Sequence, residues 1–80
     1  MNTRDAAYLT GHQYPGGVPT LAVRMGMDAR ALTRKLSPNT GGIGLDEAVV
    51  LMTLSNDHRI LYAMADELGY TLTQSSEVSK

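Results

Sequence analysis

Three side chains in the stretch 28–36 have the chemistry to recognise nucleic-acid bases. Arg30, Thr33 and Arg34 stand three and four residues apart, which places them on one face of a helix. An arginine can donate two hydrogen bonds to O6 and N7 of guanine, and a threonine can donate to a base or pack its methyl group on thymine. We therefore predict that these three residues contact base edges of double-stranded DNA.

Contacts to the DNA backbone are predicted from the polar residues around this face. Four basic residues and one acidic residue lie within 24–35, whereas six acidic and two basic residues lie within 46–80. A basic segment on an otherwise acidic chain is typical of a module that presents one surface to a polyanion. Ordinary solvated charge is the alternative interpretation. The predicted phosphate-contacting residues are Thr20, Arg24, Lys35, Ser37 and Asn39.

The elements that position these residues are predicted from the stretch 18–36, which indicates a helix, a tight turn and a second helix. Ala22 is small enough to let the second helix approach the first, and Gly26 can adopt the positive φ that the turn needs. Asp28 can cap the second helix. With Leu21, Met25, Leu32 and Leu36 as apolar anchors, this pattern is the skeleton of a helix-turn-helix.

The rest of the chain completes an all-α fold, a compact bundle of about five short helices. Its apolar residues recur at helical spacing, and no segment alternates as a strand does. The first helix starts after a cap at Asn2 or Thr3, and the fifth after a cap at Asn56 or Asp57. The other predicted helices cover 18–25, 28–36 and 46–54, and the fifth covers 58–68. We predict a DNA-binding domain at 1–69 and a polar, disordered tail at 70–80.

The predicted helices 46–54 and 58–68 are apolar on nearly every side. A domain of 80 residues can hardly enclose both of them, so part of this surface is expected to meet another subunit. The alternative is that these helices are buried in the core of a monomer. We predict a homo-oligomer, a dimer or tetramer, formed through Val49, Val50, Leu54, Leu61 and Tyr62. A second hypothesis is a helical module that binds a partner protein through the same two helices.

Catalysis and metal binding are not indicated. Cysteine is absent, which excludes disulfides and thiolate ligands, and His12 and His58 are far apart without nearby ligand-like spacing. Adjacent carboxylates on a helix splay apart and form no acid–base pair. We expect no enzyme activity, no metal or other cofactor and no small-molecule substrate. No membrane span or signal peptide is indicated, and we expect a cytoplasmic protein.

Several short motifs, considered together in order and spacing, resemble the phage regulatory protein family. They are Y-P-G-G at 14–17, L-A-V-R-M-G-M at 21–27, L-T-R-K-L-S-P at 32–38, L-D-E-A at 45–48 and D-H-R-I-L at 57–61. Members of that family include the activators by which some temperate phages establish lysogeny. The resemblance implies a phage or prophage transcription regulator that binds promoter DNA as an oligomer, near the nucleoid of a bacterial host. In fold, we predict a lambda-repressor-like arrangement.

Overall fold

The computed structural model describes residues 1–75, and this part of the chain contains five α-helices and no strand. The helices are α1 (Thr3–His12), α2 (Gly17–Met25), α3 (Ala29–Leu36), α4 (Leu45–Ser55) and α5 (Arg59–Leu68). The predicted all-α fold of about five short helices is therefore confirmed. Of the predicted disordered tail, 70–75 are exposed and contain neither helix nor strand, and 76–80 lie outside the described residues.

Four helix ends follow the local capping chemistry of the sequence. The Asn2 side-chain oxygen accepts the backbone N–H of Asp5 at 2.8 Å and starts α1. The Asp28 carboxylate accepts the N–H of Ala31 at 3.2 Å and starts α3. Gly26 and Gly69 adopt the left-handed conformation and end α2 and α5. The predictions for Asn2, Asp28 and both glycines are confirmed.

The junction between α4 and α5 differs from the prediction. Asn56 has a φ of 54° and ends α4 in the left-handed region, which asparagine tolerates better than most residues, so it does not cap α5. The fifth helix begins at Arg59, one residue later than predicted. The N-cap position of α5 is His58, whose side chain makes no capping bond, and the carboxylate of Asp57 just before it accepts the Arg59 N–H at 3.2 Å.

The core is built from small and medium side chains around α1, which contacts all four other helices. Among the described residues, twelve apolar ones are buried, and six of these are alanines. Phenylalanine and tryptophan are absent from the whole sequence. The six larger buried residues are Val18, Leu21, Leu32, Leu36, Leu51 and Ile60.

Gly11 of α1 packs against Leu36 of α3. A Cβ at this position would overlap Cδ1 of Leu36, which is itself buried. Glycine therefore allows α1 to pack directly on the last turn of α3. This contact places the last turn of α1 against the end of the helix that carries the predicted base-contacting residues.

Candidate nucleic-acid interface

The geometry of α2 and α3 is consistent with the predicted helix-turn-helix. Ala22 is only 1% exposed, and its carbonyl accepts the N–H of Met27 at 3.0 Å across the turn. Gly26 sits in the turn with a φ of 70°. Because a left-handed residue reverses the chain abruptly, α3 follows α2 within three residues.

One side of α3 is buried and the other is open. Leu32 and Leu36 are buried in the core, whereas Arg30, Thr33 and Arg34 are all exposed. Within residues 1–75, none of these three side chains forms a hydrogen bond or ion pair. Their donors are therefore available to an external acceptor. The structure thus groups the three predicted base-contacting residues on one accessible helix face, and their role in base contact stays a prediction.

On α2, Arg24 is held by a residue that sequence reasoning missed. Its Nη1 donates to the hydroxyl of Tyr14, and its guanidinium carbon lies 6.0 Å from the centre of the Tyr14 ring. Tyr14 precedes Pro15 in the turn after α1, and no local pattern connects it to Arg24. Thr20 is exposed, but its hydroxyl donates to the carbonyl of Gly16 at 3.1 Å, so its proton is already engaged.

Lys35 at the end of α3 is paired with an acidic side chain from α4. Its Nζ lies 3.2 Å from Oε1 of Glu47, and the same carboxylate accepts the N–H of Gly44 at 2.9 Å. The hydrogen bond from Gly44 and then the contact with Lys35 lower the pKa of Glu47 below its ordinary value. The sequence predicted a phosphate contact at Lys35, and in the structure Glu47 partly neutralises the charge of this lysine.

The chain after α3 places two further polar residues nearby. The Ser37 hydroxyl accepts the N–H of Asn39 at 3.4 Å, and Asn39 itself is exposed. Arg4 of α1 donates from Nη1 to the carbonyl of Pro38 at 3.2 Å. Sequence reasoning did not connect Arg4 to this region, because 34 residues separate the partners and only tertiary packing unites them.

The predicted oligomer surface is largely exposed. Val49, Val50, Leu61 and Tyr62 are exposed, as a face that meets another chain would be in a single copy. Leu54 is half-buried instead and packs against the core. Two exposed leucines of the same helices, Leu45 and Leu68, were not predicted. Residues 72–75 lie beside Leu61 and Tyr62, around a cavity of about 300 Å³.

The side chains and helices of the described residues also limit the class of site. No group of three or more His, Cys, Asp or Glu side chains in 1–75 is placed to hold a metal ion. In the same part of the chain, no helix combines the length and apolarity that crossing a membrane requires.

The fold and site together define an all-α domain in which two helices joined by a glycine turn expose a basic helix face. The chain belongs to a family of phage regulators, since the family described as Phage regulatory protein CII (CP76) matches residues 1–80. This confirms the resemblance predicted from the motifs, and the family is a regulatory one rather than a class of enzymes. Comparison with curated proteins and with solved structures finds no match.

Proposed function

We propose that the protein is a sequence-specific DNA-binding transcription regulator of a phage or prophage. The observation that carries the proposal is the open face of α3, where Arg30, Thr33 and Arg34 have no partner within the described residues. Membership of a phage regulatory family supports the regulatory role. The α3 helix enters the major groove, and α2 crosses the DNA backbone beside it.

The dimensions of α3 suit this role. A helix with its side chains is about 10–12 Å in diameter, close to the width of the B-DNA major groove at about 12 Å, so α3 can lie along the groove. Arg30 and Arg34 are one turn apart, about 6 Å along the helix axis. That separation is close to the rise over two base-pair steps, about 7 Å. The two arginines can therefore bind guanines about two steps apart, with Thr33 facing the DNA between them.

Phosphate contacts in this proposal flank the groove-binding helix. Arg24 is the strongest candidate on α2, because Tyr14 already holds its guanidinium and ordering it on DNA costs less entropy. Ser37 and Asn39 follow α3 and present short polar side chains. Thr20 must release the Gly16 carbonyl before its hydroxyl can donate to a phosphate. Lys35 faces Glu47, but an ammonium has three N–H donors, so it can contact a phosphate as well. Residues 1–69 form the binding domain in this proposal, and 70–80 are a polar tail outside it.

The active form in this proposal is a homo-oligomer, a dimer or tetramer, in the cytoplasm of the bacterial host. Its interface is the exposed apolar surface of α4 and α5 that includes Val49, Val50, Leu61 and Tyr62. A two-fold dimer would present two copies of α3 to half-sites about 34 Å apart, one turn of DNA. Each half-site adds binding energy, so one copy alone binds more weakly.

The test is a titration of labelled duplex DNA that flanks the protein's own gene, followed by fluorescence anisotropy at two salt concentrations. The expected result is tighter binding to this DNA than to a scrambled duplex, with an affinity that falls steeply as salt rises. Equal affinity for both duplexes would refute sequence specificity. Absence of binding to either duplex at low salt would refute DNA binding altogether.

A second candidate function is a protein-interaction module, which the same exposed surface of α4 and α5 favours. In that case Tyr62, which is 57% exposed, is an anchor for a partner protein rather than for a second copy. The protein would then remain monomeric at high concentration and ignore duplex DNA. Sedimentation of the purified protein, together with the titration above, separates the two functions.

A further inference from the structure

Arg4, the second residue of α1, is an exposed cation beside the end of α3. One guanidinium nitrogen donates to the Pro38 carbonyl at 3.2 Å, and no carboxylate in residues 1–75 lies within ion-pair distance. A guanidinium carries five N–H donors, so four are left without a partner in the described part of the chain. Arg4 is therefore less neutralised than Lys35, which faces Glu47.

Two other side chains with hydrogen-bond donors, Lys35 and Ser37, lie near Arg4. Arg4, Lys35 and Ser37 all border one half-open cavity of about 220 Å³, which is lined by α1, α3, α4 and α5 and by the loop after α3. The Ser37 hydroxyl accepts from Asn39, which leaves its own hydrogen to donate. We infer that Arg4, together with Ser37 and Lys35, binds a backbone phosphate of DNA, so that α1 extends the contact beyond the α2–α3 pair. This inference rests on the proposed function and adds a site to it.

The position of Arg4 also explains why a phosphate at the C-terminal end of α3 needs a cation from another helix. The C-terminal end of α3 carries a partial negative charge from its helix dipole, which by itself repels a phosphate. Glu47 adds a further negative charge next to Lys35. Arg4 supplies a positive charge that is not offset in this way, and its planar fork suits the geometry of phosphate oxygens. A purely structural role would be to hold the Pro38 carbonyl, for which charge is unnecessary.

Two substitutions separate phosphate contact from a structural role. Arg4→Gln removes the charge and, being shorter, also the hydrogen bond to the Pro38 carbonyl, whereas Arg4→Lys keeps the charge; loss of the structural bond alone would weaken binding without changing its salt dependence. The salt dependence of binding to a labelled 20-base-pair duplex reports the number of phosphates neutralised. We expect Arg4→Gln to reduce the slope of log K against log salt by about 0.9, and Arg4→Lys to leave it nearly unchanged.

Arg59→Gln is the matched control, because it removes one positive charge that already pairs with Asp57 on another part of the molecule. Its slope should equal that of the original protein, and circular dichroism checks that all variants fold. If Arg4→Gln keeps the original slope, the phosphate contact is refuted while DNA binding stands. If the unsubstituted protein binds no duplex, the proposed function fails, and the Arg4 contact fails with it.

Discussion

The pair between Lys35 and Glu47 links the end of α3 to the start of α4, and its removal has a calculable effect. Glu47→Gln keeps an oxygen that can accept the Gly44 N–H but removes the charge that faces Lys35. The carboxylate also lies in the first turn of α4, where the helix dipole favours a negative charge. The substitution therefore removes two electrostatic contributions and should preserve the local fold.

The expected loss of stability is modest because solvent screens the pair. The two side chains are 37% and 34% exposed, so the ion pair contributes well under 1 kcal/mol. Loss of the charge at the helix N-terminus adds about 0.3–1 kcal/mol. We expect Glu47→Gln to lower the free energy of unfolding at pH 7 by about 1 kcal/mol in total.

The dependence on pH distinguishes this cause from simple repacking. The pKa of Glu47 is lower in the folded protein than in the unfolded chain, where a glutamate titrates near about 4.3. Its contribution is therefore complete above that value and is lost as the pH falls through the lower, folded pKa. The stability difference between the original protein and Glu47→Gln should accordingly be largest near neutrality, shrink in acid, and close as the pH falls below the folded pKa of Glu47.

Urea denaturation followed by circular dichroism at several pH values measures this difference. Asp46→Asn is the control, since it removes a charge from the same helix turn but no ion pair or hydrogen bond in the described residues. It should cost only a few tenths of a kcal/mol. A difference for Glu47→Gln that stays constant from pH 7 to pH 3, or grows in acid, would refute the electrostatic explanation.

Other substitutions test separate parts of the structure. Arg34→Ala should weaken binding to the preferred DNA by about 1–3 kcal/mol and relax base preference, as measured by anisotropy titration. An equal loss of affinity for scrambled DNA would show that Arg34 does not contact bases. Gly26→Ala should destabilise the fold by about 1–2 kcal/mol in urea denaturation through backbone strain alone, since its Cβ meets no atom within 4 Å. Gly42→Ala, equally unobstructed but without a positive φ, should be nearly neutral, and similar effects of both would contradict the strain argument. Tyr62→Glu should leave folding intact, because an acidic side chain is favourable near the N-terminus of α5. If Tyr62 lies in an oligomer interface, this variant should have the sedimentation coefficient of a monomer. An unchanged coefficient would exclude Tyr62 from an interface.

Capping chemistry made the helices predictable, because it depends on neighbours in the chain. Asn2 and Asp28 each bond to an N–H three residues ahead, and Gly26 reverses the chain with its own φ. The exposed face of α3 was predictable for the same reason, since burial of Leu32 and Leu36 leaves the opposite side to solvent. Asn56 shows the limit of predicting helix ends from the sequence, because an asparagine can either cap the next helix or end the previous one.

Contacts between distant segments were not predictable from the sequence. Tyr14 meets Arg24, and Arg4 meets Pro38, only because α1 packs across the other helices. The pairing of Lys35 with Glu47 likewise depends on the path of the loop between α3 and α4. The composition gives the number of these charges but does not indicate which of them lie close together in the fold. The site therefore contains partners that periodicity and charge counts could not reveal.

The alanine-rich core has a consequence for how this protein responds to temperature. Methyl groups release little apolar surface to water on unfolding, compared with the aromatic rings that this core lacks. The heat-capacity increment should therefore fall at or below about 12 cal/mol/K per residue, the lower end for globular proteins. A small heat-capacity increment flattens the curve of unfolding free energy against temperature. The small unfolding enthalpy of an 80-residue chain also broadens the thermal unfolding transition. The folded population would consequently decline gradually on warming rather than collapse within a few degrees.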